Sequence, residues 1–542
     1  MSARKFRGAD ALAQSLRTLG VRRVFTLSGN HIMPVFDAAL DAGIELIHTR
    51  HEAAAVHMAD AWARLTGGPG IALVTGGPGH ANAVAALYTA SMAESPVVLL
   101  SGHAPLGELG TGAFQEMRQA DVAAPLTKAS WTSESAQALA GDMERAAAIA
   151  LAGRPGPVHL SLPSDGLEAE IPPPASPRAM GEVAQRPNLD TRPFLERLRR
   201  AKRPIILTGP ASMTRPGRER MARLEAATGI AAIGMESPRG IADPSLGAFA
   251  EILARADCVL LLGKRLDFTL KFGKSPAFDA RCEFLQVDAE PGEIDRTRRA
   301  VGGRLAATAI ASAFAAADAL TQEALRQPPA RGDWLPEVRA AIAYRPAAWA
   351  SATSTMPGRL HPVQALRPLQ ALLDAHADAV FISDGGEIGQ WAQACLHAPH
   401  RVINGVAGSI GAALPFAVAA RVALPDAPIV AVMGDGTFGF HPAEIDTAVR
   451  YRLPFVAVVG NDARWNAEYQ IQLREYGLDR AKGCELLPTR YDQVAMAFGG
   501  HGELVTDAGD VLAAARRAQA SGLPACLNIM IDGIAAPNIK RG

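Results

Sequence analysis

Apolar runs of four to six residues, each closed by a small or polar turn, recur along the chain and alternate with stretches that repeat every three to four residues. Short apolar runs of this kind predict buried parallel strands, and the longer period predicts amphipathic helices. In the first third the pattern predicts helices over 11–19, 33–42 and 52–65, and strands over 23–27, 44–48, 71–75, 97–100 and 158–162. The helix over 52–65 is rich in alanine, which favours helix and lets neighbours pack closely. The middle third predicts strands over 204–207, 230–233, 258–262 and 283–287. The last third predicts strands over 379–383, 429–433, 455–459 and 525–531, with a helix over 441–452 that carries Pro442 in its first turn. Two polar, proline-bearing stretches, 168–192 and 327–357, read as connections, the second with a short helix over 335–342. The expected fold is α/β, three doubly wound domains in series at 1–170, 190–325 and 360–542.

Composition narrows the partners. The 542 residues suit about three domains, and 49% hydrophobic content is ample for several cores. Basic and acidic residues balance at 54 each with no long run of either sign, which argues for a small-molecule substrate and against nucleic acid or a membrane surface. The five cysteines are scattered without a CxxC pair, so neither a disulfide framework nor a zinc site is expected. The polar, basic start carries no apolar core and no run of 18 apolar residues occurs, so the expected location is cytoplasmic.

Candidate chemistry concentrates where strands end. The run 428–433 stops at Gly434-Asp435-Gly436, whose small residues permit a tight turn and a close backbone approach. Asp435 leaves the carboxyl end of that strand, where open α/β sheets bind ligands. The run 455–459 stops at Asn461-Asp462. Two neighbouring strand ends thus offer oxygen side chains, the makings of a hard-cation site beside a phosphate. Such a turn with an exposed Asp occurs in many doubly wound domains, so it gains meaning only from matches elsewhere. The loop Gly77-Pro78-Gly79-His80-Ala81-Asn82 passes at first sight for a dinucleotide fingerprint, the mark of a nucleotide-binding oxidoreductase. Its third glycine is Asn82, and no strand-linked acid follows at the required distance.

The Gly434-Asp435-Gly436 and Asn461-Asp462 pair, with residues 437–460 between, resembles the thiamine diphosphate fingerprint. Arg50-His51-Glu52-Ala53-Ala54-Ala55 resembles the RHE-x-A-A segment of the same family. Together with three α/β domains in series, these motifs resemble enzymes related to acetolactate synthase and benzaldehyde lyase. The resemblance implies a pyrimidine-binding, a central Rossmann-like and a diphosphate-binding domain, in that order. It implies thiamine diphosphate and Mg²⁺ as cofactors, the metal held by Asp435, Asp462 and the main-chain carbonyl of Arg464. The family usually has Asn at the place of Asp462. Gly436 and Thr437 would donate to phosphate oxygens. Asp384-Gly385-Gly386-Glu387 would line the same pocket, which assigns Gly386 and Glu387 to the cofactor. Gly408-Ser409-Ile410-Gly411 is similar to the family's G-[ST]-[MIL]-G turn, with Ile410 under the thiazolium and the Gly408 carbonyl on the 4′ amine. Glu52 would exchange a proton with ring nitrogen N1′ from a dry pocket; its plain alternative is an acid in a helix first turn. His80 lies in what resembles the GPG-x-x-N loop beside the pyrimidine.

Substrate-facing positions qualify the resemblance. Leu27-Ser28-Gly29-Asn30-His31-Ile32 resembles the benzaldehyde lyase loop, in which an active-site His stands at the place of His31. Phe114-Gln115-Glu116 is similar to a family segment whose Gln, here Gln115, reaches substrate. Two positions depart from acetolactate synthases: Thr269 stands where an acid-binding Arg is usual, and Ile471 falls near the acceptor-specificity Trp. The segment 263–273 is also similar to 2-hydroxyacyl-CoA lyases. The implied function is a C–C bond lyase or carboligase acting on a 2-oxo acid or 2-hydroxy ketone through a C2 carbanion and enamine. Within the class, 2-oxo acid decarboxylation and 2-hydroxyacyl-CoA cleavage are the alternatives. A homodimer or homotetramer is implied, because in the family the cofactor spans two subunits. FAD or a nucleotide in the central domain is left open.

Overall fold

The computed structural model describes residues 5–173, 189–326 and 333–541. The start of the chain at 1–4 and parts of both expected connections, 174–188 and 327–332, lie outside the described residues.

The described residues form three parallel sheets, as the strand pattern requires. The first holds β1 (Arg23–Thr26), β2 (Glu45–His48), β3 (Gly70–Val74), β4 (Val97–His103), β5 (Ser130–Thr132) and β6 (Val158–Pro163), in the order β2-β1-β3-β4-β6-β5. The second holds β7 (Pro204–Thr208), β8 (Ala232–Gly234), β9 (Cys258–Leu262), β10 (Glu283–Asp288) and β11 (Leu305–Ile310), in the order β11-β10-β9-β7-β8. The third holds β12 (Val380–Ser383), β13 (His400–Ile403), β14 (Ile429–Gly434), β15 (Val456–Asn461), β16 (His501–Val505) and β17 (Ala525–Met530), in the order β13-β12-β14-β15-β17-β16. The first and third sheets therefore share one topology. In each, the order reverses beside the first strand, at β1/β3 and at β12/β14. The carboxyl ends at such a reversal diverge and leave a crevice for ligands.

Four strands escape the sequence pattern: β5, β11, β13 and β16. All four are sheet edges. An edge strand is covered on fewer sides, so β11 alternates half-buried with exposed positions and β5 is half-buried throughout. Neither produces the continuous apolar run that betrays β3, β4 or β9, which are buried along their whole length. The helix Met33–Ala42 matches its predicted limits, stopped by Gly43 at φ 62°. The helix expected over 441–452 is shorter, Glu444–Arg450, because the His441 ring is held outside it on the Gly411 carbonyl at 2.7 Å.

The three sheets are grouped by packing into two units. One joins the N-terminal sheet with 418–425 and 443–453; the other joins the central and C-terminal sheets. Each sheet sits in its own apolar cluster, including Leu12, Val35, Leu73 and Leu160 in the first and Phe381, Val432, Val458 and Leu527 in the third. No helix among the described residues is long and apolar enough to cross a membrane.

Candidate active site

The predicted site residues fall into two clusters, one in each unit, at the carboxyl ends of the first and third sheets.

In the first unit, Glu52 is the first residue of the helix Glu52–Thr66, behind the N-cap His51, whose Nδ1 accepts from the Ala53 amide at 3.1 Å. Its half-buried carboxylate accepts from Asn82 Nδ2 at 3.0 Å. Asn82 stands in the first turns of the helix Pro78–Met92, whose Gly79 comes so close that an added Cβ would lie 3.4 Å from Glu52 Oε1 and 2.7 Å from Thr75. The β3 turn thus brings the glycine loop onto Glu52. His31 is buried at the β1/β3 reversal, with Nδ1 on the Thr75 hydroxyl at 3.0 Å and its ring stacked on Phe114. Burial holds the His31 imidazole below its usual range, so it is neutral at pH 7. Gln115 has φ 57°, and its buried Oε1 has no hydrogen-bond partner among the described residues. It packs on the Gly77 turn, where a Cβ would lie 2.8 Å from the Gln115 Cβ.

His80 is placed differently from the other three. It is fully buried, Nδ1 on the Ser101 hydroxyl at 2.9 Å and the ring against His159, and burial pushes its imidazole down to about 4. It therefore stands behind the glycine loop as a neutral support. Gln119 drew no sequence signal, yet it ties this region together. Its Oε1 accepts from the Gly77 amide at 2.8 Å, while Nε2 donates to the Gly102 carbonyl and the Ser161 hydroxyl.

In the second unit, β14 ends in the helical turn Asp435–Phe438. Asp435 is buried and accepts from the Arg464 amide at 3.2 Å. Gly436 has no room for a side chain, since a Cβ would lie 2.6 Å from the Trp465 ring. Thr437 gives its hydroxyl proton to the Gly434 carbonyl at 3.0 Å, so that proton is engaged within the turn. Asp462 leaves β15 next door, also buried. Burial pushes both carboxyls well above the usual range, and the charge of Asp435 raises Asp462 further. Asn461 faces inward instead, bonded to Asn528 and the Thr489 carbonyl.

The β12 end supplies the frame. Asp384 is buried and accepts from the amides of Gly385 at 2.7 Å, Gly411 at 3.0 Å and Ala413 at 3.0 Å. It clamps both loops that carry the predicted cofactor residues, a role the sequence did not assign. Ile410 packs against Gly385, where a Cβ would meet its Cγ2 at 2.6 Å, and Gly408 is exposed at φ 67°. Gly386 is at φ 80°. The Glu387 carboxylate accepts from the Ala536 amide at 3.0 Å and from Arg239 at 3.3 Å, with its carboxyl raised by burial. Ile471 is exposed on the helix Asn466–Tyr476.

The donor set fits a divalent cation. Two buried carboxylates that repel each other, on adjacent strand ends, are what a hard cation with phosphate oxygens would relieve. This is the constellation of a thiamine diphosphate-dependent enzyme on a triple α/β scaffold. Family models of the thiamine pyrophosphate enzymes match in chain order: the N-terminal binding domain at 6–122, the central domain at 192–313 and the C-terminal binding domain at 384–529. The chain belongs to that family. It is 32% identical to a probable acetolactate synthase of Mycobacterium bovis, over 96% of this chain and 95% of that protein. It is 29% identical to 2-hydroxyacyl-CoA lyase 2 of Homo sapiens, over 97% of this chain and 90% of the relative. A 2-hydroxyacyl-CoA lyase of Arabidopsis thaliana is 28% identical over 98% and 97%.

Proposed function

We propose that the protein is a thiamine diphosphate- and Mg²⁺-dependent lyase or carboligase that breaks or makes the C–C bond next to a carbonyl in a 2-hydroxy ketone or 2-oxo acid. The observation that carries the reading is the Glu52 carboxylate on Asn82, at the head of a helix and against the glycine loop. When bound, the cofactor supplies a nucleophilic carbon that adds to a carbonyl and stores its electrons. Glu52 holds the proton exchanged with the far pyrimidine nitrogen. Asp435, Asp462 and the Arg464 carbonyl would hold the metal, and Gly436 and Thr437 with the Gly386 and Glu387 turn would hold the diphosphate. Gly408 and Ile410 would hold the cofactor between the two loops that Asp384 fixes. Neutral His31 accepts the substrate hydroxyl proton, and Gln115, with its open Oε1, orients the same group. His80 supports the loop.

A second reading, 2-hydroxyacyl-CoA cleavage, is favoured by the turn Phe268–Gly273. It presents half-exposed Phe268 and Phe272 and bears Lys271 and Phe272 at positive φ. Apolar rings suit an acyl chain. Free, mostly buried cysteines are consistent with a cytoplasmic protein, and the family resemblance with a homodimer or homotetramer. Purified protein loaded with thiamine diphosphate and Mg²⁺ should cleave a benzoin-type ketone or a 2-hydroxyacyl-CoA faster than it condenses pyruvate. Acetolactate as the dominant product would overturn the substrate reading, and full activity of a monomer would overturn the assembly.

A further inference from the structure

The connection that delivers Glu52 is held in large part from distant chain. β2 is an open edge of its sheet and ends at His48, and Thr49-Arg50-His51 lead into the helix that Glu52 begins. Thr49 is tied back to β1 through the Thr26 carbonyl at 2.8 Å. The His51 carbonyl accepts from the Thr49 hydroxyl at 3.0 Å, and Leu46, His48 and Arg50 are met by one short piece of distant chain, the helix Glu444–Arg450 and the residue after it. Glu444 Oε1 accepts from the Arg50 amide at 3.0 Å, and Oε2 accepts from the Thr447 hydroxyl at 2.7 Å. Arg450 donates to the His48 carbonyl at 2.7 Å. The Tyr451 hydroxyl accepts from the His48 amide and donates to the Leu46 carbonyl, both at 2.9 Å.

We propose that Glu444, assisted by Tyr451, is a positioning residue that fixes the Arg50 amide and thereby aims the carboxylate of Glu52, two residues on. Covering an edge strand needs no ionisable group, and apolar or neutral side chains do it at lower cost. Glu444 is instead fully buried, and burial pushes its carboxyl up to about 7. Its fixed acceptor holds the main chain within hydrogen-bond tolerance, and proton transfer from Glu52 demands that accuracy. The inference rests on Glu52 being the proton-exchanging acid.

Amide hydrogen exchange of 48–53 in the apo-protein, and deuterium incorporation at the cofactor C2 in the loaded protein, test the two parts separately. Glu444→Ala should speed exchange of the Arg50 amide and slow C2 exchange, each by about tenfold or more, with cofactor affinity held. Glu444→Gln, which keeps an acceptor oxygen, should restore both to within about threefold of wild type. Tyr451→Phe should loosen His48 and slow C2 exchange by a smaller factor, and it decides the matter if Glu444→Ala does not fold. Loosened amides with unchanged C2 exchange, or Gln as damaging as Ala, would overturn the proposal. Unchanged C2 exchange in Glu52→Gln would instead remove Glu52 itself, whatever the amides do.

Discussion

The Lys264 ammonium donates to the Thr269 hydroxyl at 2.7 Å, and both side chains are buried. Thr269, which by the resemblance falls where an acid-binding Arg would stand, in turn donates to Asp267 and so keeps its hydroxyl within the central domain. Lys264 cannot serve as a substitute from there, because its charge is spent beside Asp267 at 3.7 Å. Condensation of two pyruvates should therefore be poor. A charge-assisted hydrogen bond to a carboxylate contributes roughly 1.5–3 kcal/mol, or one to two decades in rate. Efficient acetolactate formation, followed by its decarboxylation product, would mean that another cation meets the acceptor acid.

Glu52→Gln leaves the Asn82 contact and the whole second cluster in place, so thiamine diphosphate and Mg²⁺ should bind within a few-fold of wild type. Loss of the exchangeable proton should slow deuterium incorporation at C2 by about 10²-fold or more. NMR of quenched samples measures it. Wild-type exchange in the variant would end the catalytic reading of Glu52.

The sequence announces what lies at sheet centres and in tight turns. β14 and β15 are long apolar runs, and the glycine at 436 is forced by the Trp465 ring against it. Edge strands stay hidden for want of an apolar run: β16 is half-buried and mixed in polarity, and β13, though mostly buried, begins with His400-Arg401. Side chains that act on the backbone from far away stay hidden for another reason. Gln119 looks like any helix residue until the Gly77 amide is seen on it, and Glu444 meets Arg50 across 394 residues. His80 shows the converse. Its motif suggests the cleft, but its ring turns to Ser101 and His159 beneath the loop.

Glu444 also predicts a pH dependence of stability. The main-chain amides of Arg50 and His51 face it from the N-terminal segment, and the Thr447 hydroxyl and the Arg450 charge from its own helix. Its carboxyl is raised from 4.5 to about 7, so the folded state keeps a proton that the unfolded state releases. Stability from this group is full below pH 4.5 and is lost as pH rises to about 7. At about 1.36 kcal/mol per unit, the loss is on the order of 3 kcal/mol. Glu444→Gln cannot ionise, so its melting temperature should gain on wild type between pH 5 and pH 7.5. A constant difference across that range would show that Glu444 is not protonated in the fold.

Asp435 and Asp462 make the sharpest test of the metal reading, because the apo-protein carries the cost of both. Each carboxyl is raised by burial, and Asp462 further by the charge of Asp435; the main-chain amides of Gly436, Ala463 and Arg464 and the Arg464 and Arg359 guanidinium groups oppose this without offsetting it. Asp462→Asn removes one of the two repelling charges but keeps an oxygen for the metal. The apo-protein should therefore melt higher at pH 7.5, while affinity for Mg²⁺ and thiamine diphosphate shifts by less than about tenfold, since the lost attraction to the cation and the lost repulsion of the diphosphate partly cancel. Asp435→Ala relieves the same repulsion and should stabilise the apo-protein too, yet it removes a ligand without replacement and should abolish cofactor retention. Calorimetric titration and thermal melts with and without Mg²⁺ separate the two variants. Equal damage to cofactor binding by Asp462→Asn and Asp435→Ala would show that the charge of Asp462, and not merely its oxygen, is needed to hold the metal.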